Sequence, residues 1–147
     1  MSLASALKVI ITYNASIGAA YRDWARRLPP GPVSALASSM AAQRQELGKV
    51  LAGIGGDGSI PQVEVEFDIN PSVMTSFEDL GTAVVEPKAL LQKMVEAEAV
   101  DHEFLSALAG AILPASASVA ETLADEANSA RKRSSWAQDH LDLLGLA

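Results

Sequence analysis

The stretch KVIITYNASIGAAYRDWARRLPPGP, residues 8–32, combines a helical pattern with a proline-rich turn. Apolar and aromatic residues recur every three or four positions along this stretch and just before it, and Asn14 is the one polar residue among them. The set is Leu3, Leu7, Ile10, Asn14, Ile17, Tyr21, Trp24 and Leu28. This spacing places the set on one face of a helix. Pro29 disfavours helical geometry in the residue before it, and Pro32 suits the first turn of a new helix. The stretch therefore predicts a long helix, a tight turn and a second helix that returns along the first.

Three further segments repeat this periodicity. The second helix has the seam Val33, Leu36, Met40, Gln43, Leu47, Val50 and Ile54, and Gly55 and Gly56 follow it as a C-terminal stop. The third starts at Pro87 and has the seam Leu91, Met94, Glu98, Asp101, Leu105, Leu108 and Ile112. The fourth follows LPASAS, residues 113–118, and has the seam Ala120, Leu123, Ala127, Ala130, Ser134, Ala137, Leu141 and Leu144. The chain is therefore predicted to be an all-α four-helix bundle.

Residues 55–86 break the helical pattern and form a long connection between the second and third helices. Within them, VEVEFDI at residues 63–69 alternates apolar and acidic side chains, which is typical of a strand with one buried face. Such a strand could cover the side of the bundle or pair with its counterpart in a second subunit. A helix of about 24 residues is about 36 Å long, so a chain that starts a parallel helix needs a crossover of this kind. We expect one domain, residues 1–147, with antiparallel neighbours and a single crossover at 55–86.

The composition narrows the class of protein. Of 147 residues, 49% are hydrophobic and 20% are charged, which is enough apolar material for one core. A net charge of −7 argues against a nucleic-acid or anionic membrane surface. Cysteine is absent, which excludes disulfides, thiolate-bound zinc and iron–sulfur clusters. No stretch is expected to be long enough to span a membrane, and the N-terminus lacks a signal-peptide pattern. These features predict a soluble, cytoplasmic protein.

Polar residues interrupt the seams at one level of the predicted bundle. When each pair of helices is folded about its turn, the interruptions meet at mid-bundle: Asn14, Gln43, Glu98 and Asp101. Two further glutamates, Glu46 and Glu126, lie beside them. Asn14 and Gln43 are most simply a hydrogen-bonded pair that sets the register of the helices. We therefore expect a polar layer across the centre of the bundle.

The two carboxylates of this layer, Glu98 and Asp101, require an explanation if they are buried. Buried carboxylates are protonated, paired with a base such as Arg44 or Arg133, or bound to a cation. A rotation of the third helix that turned Val95 inward would leave both in solvent instead. Their neighbours in sequence are expected on the solvent face: Glu96, His102 and Glu103.

Topology and three loose segments carry a resemblance to a known superfamily. The segments are YRDWARRL at 21–28, QRQELGKVL at 43–51 and EAEAVDHEFLSALA at 96–109. Together with the single long crossover, they resemble the ferritin-like superfamily, in particular its small rubrerythrin-like bacterial members. The resemblance implies a ferritin-like antiparallel four-helix bundle over nearly the whole chain. In metal-binding members, two helices each supply a Glu and two each supply Glu-x-x-His, which hold two iron or manganese ions.

Carried over position by position, the resemblance implies a degenerate metal site. Its candidate ligands are Glu46, Glu98, Asp101 and Glu126. Asn14 and Gln43 stand where that pattern has carboxylates, and amides are weak ligands for such ions. His102 lies about 100° around the helix from Asp101, and His140 lies about 21 Å along the helix from Glu126.

Three hypotheses about function remain. The preferred one is a metal-free, ferritin-like interaction or assembly protein, a homodimer in which residues 63–69 could offer a strand edge. The second is a divergent carboxylate-bridged iron or manganese protein that oxidises iron or handles peroxide. The third is a protein that holds a small apolar ligand between Ala-rich helices. No residue is singled out as catalytic or cofactor-binding, and enzyme activity is not expected.

Overall fold

The computed structural model describes residues 2–54, 64–65 and 86–145. They form four helices: α1 (Leu3–Arg27), α2 (Pro32–Ile54), α3 (Pro87–Ile112) and α4 (Ala117–Gly145). Within these ranges no strand is formed, so the prediction of an all-α four-helix bundle is confirmed. The helices begin and end close to the predicted positions because proline and capping residues determine their ends.

The two ends of α1 show how local sequence determines a helix boundary. Ser2 caps the N-terminus, where its hydroxyl accepts a hydrogen bond from the backbone N–H of Ser5 at 3.2 Å. At the other end Leu28 adopts an extended conformation, as expected for the residue before a proline. The chain then turns through residues 28–31 and enters α2 at Pro32.

The buried faces of α1 and α3 agree with the predicted seams. Every seam residue of α3 is buried, and so is every seam residue of α1 from Leu3 to Leu28. The face of α2 differs from the prediction by about one residue, whereas α4 buries five residues of its predicted seam: Ala120, Leu123, Ala127, Ala130 and Ala137. On α2, Arg44 is buried and Gln43 is only half-buried, and on α4, Arg133 is buried and Ser134 is half-buried. In both helices an arginine beside the predicted seam enters the core, where the buried carboxylates of α3 need a counter-charge.

α1 packs mainly on α2, and α3 packs mainly on α4. Two glycines allow the close approach of α1 and α2. A Cβ atom on Gly18 would lie 3.2 Å from the Cβ of Arg44, and one on Gly48 would lie 3.3 Å from Nδ2 of Asn14. Both distances are shorter than ordinary contacts, so larger side chains there would force the two helices apart.

The described part of the crossover touches the start of α1. Glu64 forms an isolated antiparallel bridge with Ser2 of the same chain, and the next residue, Val65, is buried. Exposure of Glu64 and burial of Val65 agree with the predicted alternation. The rest of the predicted strand, Val63 and 66–69, lies outside the described residues.

α1 is also long and apolar enough to cross a membrane by length and composition. The expectation that no stretch reaches this length is therefore wrong, because an 18-residue window of this helix combines a mean hydropathy of 1.3 with few charged residues. Half of its apolar window is buried against the rest of the bundle. Core helices of soluble proteins and signal sequences meet the same criterion.

Candidate functional site: a buried ionic layer

Four charged side chains meet at the centre of the bundle. They are Arg44 on α2, Glu98 and Asp101 on α3, and Arg133 on α4, and none is more than 1% exposed. Glu98 and Asp101 are three residues apart and therefore share one face of α3. With two positive and two negative groups, the layer is formally neutral, which is how charges are tolerated away from water.

Glu98 accepts hydrogen bonds from three side chains on three other helices. Its Oε1 accepts from the Tyr21 hydroxyl at 2.9 Å and from Arg44 Nε at 3.2 Å, and its Oε2 accepts from Arg133 Nε at 2.9 Å. Arg44 Nη2 also lies 3.0 Å from Oε1, but it is not aligned to donate a hydrogen bond. Both oxygens of Glu98 are thus satisfied by protein donors.

The two oxygens of Asp101 differ in their hydrogen bonds. Its Oδ2 accepts from Arg44 Nη1 at 2.9 Å and lies 3.5 Å from Arg133 Nη2. Its Oδ1 has no hydrogen-bond partner among the described residues. Burial raises the pKa of the Asp101 carboxyl above its usual value, and the attraction of Arg44 offsets this only in part. Among the described residues, Asp101 is therefore less fully hydrogen-bonded than Glu98.

α1 holds Arg44 in place from the side. Asn14 donates to the backbone carbonyl of Arg44 at 2.8 Å and accepts from Arg44 Nη1 at 3.1 Å. The rings of Tyr13 and Tyr21 each lie with their centroid 5.9 Å from Arg44 Cζ, within the range of a cation–π contact. The predicted bond between Asn14 and Gln43 is not formed, and Gln43 Oε1 lies 3.5 Å from Arg133 Nη1 instead.

The surroundings shift the pKa of the groups that contact Arg44. Burial raises the pKa of Tyr21, and the adjacent Glu98 carboxylate raises it further. Burial likewise raises the pKa of Tyr13. Burial alone would lower the pKa of Arg44, but Asp101 and Glu98 more than compensate and the pKa of Arg44 is raised. All three groups therefore keep their protons at neutral pH.

The structure brings together only two of the four predicted metal ligands. Glu98 and Asp101 lie in the layer, whereas Glu46 is exposed and pairs with Lys49 at 3.0 Å. Glu126 is half-buried, and burial raises the pKa of its carboxyl against the opposing effect of Arg133. Among the described residues no group of three or more His, Asp or Glu side chains could hold a metal ion.

Chemically, the layer does not fit a di-metal centre. The guanidinium groups of Arg44 and Arg133 occupy the space where a cation would have to bind Glu98 and Asp101. Arg44 Nη1 lies 2.9 Å from Asp101 Oδ2, and Arg133 Nε lies 2.9 Å from Glu98 Oε2. A metal ion there would face two positive charges in a site of low dielectric constant. The donor set present is thus complete as a set of ion pairs.

Neither histidine belongs to the layer. His102 is half-buried, and its Nδ1 lies 2.8 Å from the carbonyl oxygen of Ala127, to which it donates. It therefore connects α3 to α4, so the expectation that it lies on the solvent face is wrong. His140 Nδ1 lies 2.8 Å from the carbonyl oxygen of Trp136 within α4. Glu96 and Glu103 are exposed, as predicted.

Sequence reasoning named Arg44 and Arg133 as bases that could pair with the carboxylates, but it placed neither in a seam. It missed the hydrogen bond from Tyr21 to Glu98 altogether. A signal for Arg44 was present, because Ala37, Ala41, Arg44 and Gly48 also recur at helical spacing. That pattern is easily overlooked because it contains no large apolar side chain and includes a charged one.

Comparison of the chain with models of protein families, with curated proteins and with solved structures finds no match. The ferritin-like resemblance thus continues to rest on topology and loose sequence segments. What the protein does has to be argued from the buried layer and from the surfaces around it.

Proposed function

We propose that this chain is a metal-free, ferritin-like four-helix bundle that acts as an interaction or assembly protein, a homodimer in the cytoplasm. The observation that carries the proposal is the position of Arg44 and Arg133. Their guanidinium groups bind Glu98 and Asp101 at the level where the ferritin-like resemblance implies metal ions. A layer in which each carboxylate is paired with an arginine, away from water, favours a structural role over a catalytic one.

Contacts between helices support the antiparallel part of this proposal. Gly48 lies against Asn14 and Arg44 lies against Gly18, so residues later in α2 meet residues earlier in α1. In the second pair, the Ser134 hydroxyl donates to the carbonyl of Val95 at 3.2 Å, and His102 meets Ala127. The crossover at 55–86 would then return the chain along the bundle to start α3.

The ionic layer suits a protein whose helices are rich in alanine. Small side chains give helices little to interlock, so neighbouring registers differ little in packing. Four charges that must meet at one level would exclude other registers, because a slipped helix would leave a buried charge unpaired. The layer thus specifies one arrangement of a core that packing alone specifies weakly.

Exposed apolar side chains near the end of α4 support the interaction role. Trp136 is 41% exposed and Leu143, seven residues later on the same face, is 64% exposed. Leu144 beside them is also exposed. Neighbouring large apolar groups on a surface favour contact with protein, and tryptophan is enriched at the centres of such interfaces. In a homodimer, the same patch on each subunit could meet across a two-fold axis.

The metal-free part of the proposal is tested by loading. The purified chain is incubated anaerobically with ferrous iron or manganese(II), desalted and subjected to elemental analysis. We expect far less than one ion per chain, because Arg44 and Arg133 repel a cation from the carboxylates. Stoichiometric metal that is lost in Glu98→Gln would overturn the proposal and favour a carboxylate-bridged metal protein.

The assembly part is tested by sedimentation velocity across a range of concentrations. We expect a dimer for the native chain and a monomer for Trp136→Ser with Leu143→Ser. Leu113→Ser is the matched control, because Leu113 is 58% exposed but follows α3 directly, before α4 begins. A native chain that stays monomeric at high micromolar concentration contradicts assembly.

A further inference from the structure

A cavity of about 450 Å³ lies on the exposed side of the α1–α2 pair. α1 contributes Arg22 and Arg26, and α2 contributes Ser38 and Gln45; the remaining walls are Ala25, Ser34, Ala35, Ala41 and Ala42. The volume is typical of small-molecule sites, which span about 300–1,000 Å³. The cavity exists because mainly small side chains face it from both helices.

The charge of this cavity is not neutralised by any residue that the structure describes. Arg22 and Arg26 are one helical turn apart, and neither forms an ion pair with any described residue. Asp23, the acid nearest in sequence, pairs with Arg27 at 3.3 Å instead. No described residue that lines the cavity carries a carboxylate. Two like charges at this spacing repel each other, so an anion between them would relieve the repulsion.

Charge is also segregated between the two halves of the bundle. Residues 2–54 contain six Lys or Arg and two Asp or Glu, a net charge of +4, although the whole chain carries −7. Residues 86–145 contain five Lys or Arg and ten Asp or Glu, a net charge of −5. The α1–α2 side is therefore the part of this acidic protein that attracts anions.

A second cavity of about 300 Å³ adjoins the first and shares Arg22, Ala41 and Gln45 with it. Its other walls are mostly apolar or small: Ile11, Asn14, Ala15, Gly18, Ala19, Arg44 and Gly48. The guanidinium group of Arg44 is engaged by Glu98 and Asp101, so it adds no free charge here. The two cavities thus form one groove with a cationic end and a largely apolar end.

We propose that this groove binds an amphipathic phosphate, a phosphate monoester with a slim apolar chain. Arg22 and Arg26 bind the phosphate oxygens, and the Ser38 hydroxyl, which has no partner among the described residues, is a further donor. The Ser34 hydroxyl is engaged by Gly31 and is not needed. A phosphate monoester carries about −1.5 to −2 charges at pH 7, which matches the two arginines. The apolar chain lies along Ala15, Ala19 and Gly48.

The test is calorimetric titration with n-octyl phosphate below its micelle concentration, compared with inorganic phosphate. We expect one site per chain, with octyl phosphate bound at least about tenfold more tightly than inorganic phosphate. Arg22→Gln with Arg26→Gln should weaken octyl phosphate about tenfold or more. The matched control, Arg131→Gln with Lys132→Gln, removes the same charge from exposed positions of α4 and should leave affinity unchanged.

A filling variant tests the apolar end separately. Ala19 is exposed and lines only the second cavity, so Ala19→Leu should keep the fold. This variant should lower the affinity for octyl phosphate to that for inorganic phosphate, and the affinity for inorganic phosphate should not change. Equal affinity of both ligands for the native chain, or an equal loss in the Arg131 and Lys132 control, overturns the proposal.

Two sources of the phosphate are distinguished by sedimentation with vesicles of phosphatidylcholine, with or without phosphatidic acid. Binding that requires phosphatidic acid, Arg22 and Arg26 identifies a lipid head group, and binding of octyl phosphate alone identifies a soluble ester. Failure of both overturns the proposal. None of these outcomes depends on metal content or on the dimer, so this site and the proposed function can fail separately.

Discussion

Two pairs of arginines in this protein share a chemical group and differ in everything around it. Arg44 and Arg133 lie at the centre of the bundle, where each donates to a carboxylate at 2.9 Å. Arg22 and Arg26 lie on the exposed side of α1 without an ion-pair partner among the described residues. A guanidinium group keeps its charge in both settings, so burial forces the first pair to be neutralised by protein. The second pair is exposed, so no described residue has to neutralise it.

The comparison predicts that the same substitution has very different costs in the two pairs. Arg44→Met should lower the free energy of unfolding by about 3–5 kcal/mol, because it leaves two buried carboxylates with one base. Denaturant unfolding at pH 7 measures this. Arg22→Met is the control and should change the free energy of unfolding by less than about 0.5 kcal/mol. Similar losses in both variants would contradict the contrast between the pairs.

A smaller effect is expected at the edge of the buried layer. Tyr21→Phe removes the hydrogen bond from the hydroxyl to Glu98 and should cost about 1.5–3 kcal/mol at pH 7. Denaturant unfolding at pH 7 measures this too, and the loss should stay below that of Arg44→Met. A loss within experimental error would indicate that the Tyr21 hydroxyl adds little to the stability of the layer.

The same variant should change the response to alkaline pH. Burial and the adjacent Glu98 raise the pKa of Tyr21 above 10.0, so above pH 10 the unfolded chain loses this proton while the folded chain keeps it. Stability then falls with rising pH by about 1.4 kcal/mol per pH unit for this one group. Unfolding curves between pH 10 and pH 12 should show a slope that is shallower in Tyr21→Phe, by a difference that approaches this amount as the pH rises. An unchanged slope would mean that Tyr21 ionises normally in the folded protein.

The smallest effect is expected at Glu46, the predicted ligand that lies on the surface. Its pair with Lys49 joins two side chains that are 71% and 66% exposed, and such pairs contribute little. Glu46→Gln should change the free energy of unfolding by no more than about 0.5 kcal/mol. Thermal unfolding measures this, with Glu98→Gln as the buried counterpart that should be far less stable. A large loss in Glu46→Gln would show that this carboxylate has a role the surface pair does not explain.

Much of the fold follows from the order of residues along the chain. The seams of α1 and α3 were predictable because large apolar side chains recur along one face of each helix. On α2 two faces compete, and the predicted one, with Val33, Gln43, Val50 and Ile54, has larger apolar side chains than the observed one, which includes Ala37 and Ala41. Its rotation could not be predicted, because it depends on charges that come from α3.

The candidate site was predictable in its acids and not in its bases. Glu98 and Asp101 fall on the α3 seam, so periodicity indicated their burial, and the structure decides against the alternative rotation that would have exposed them. Arg44 and Arg133 lie just off the predicted seams, and only their contacts with those carboxylates explain why they are buried. Long flexible side chains can reach a partner from several positions, so spacing alone does not assign them.

The sequence by itself determined the four helices, their ends and the level at which polar residues interrupt the core, because these depend on spacing and on local backbone preferences. Only the tertiary structure decided how α2 is rotated and that Arg133 of α4 is buried beside the predicted seam, and therefore that Arg44 and Arg133 complete the layer. The reason is that pairing a buried charge is a property of two or more helices together. The cost of leaving Glu98 and Asp101 unpaired outweighs the apolar preference of α2 and the cost of burying Arg133 on α4.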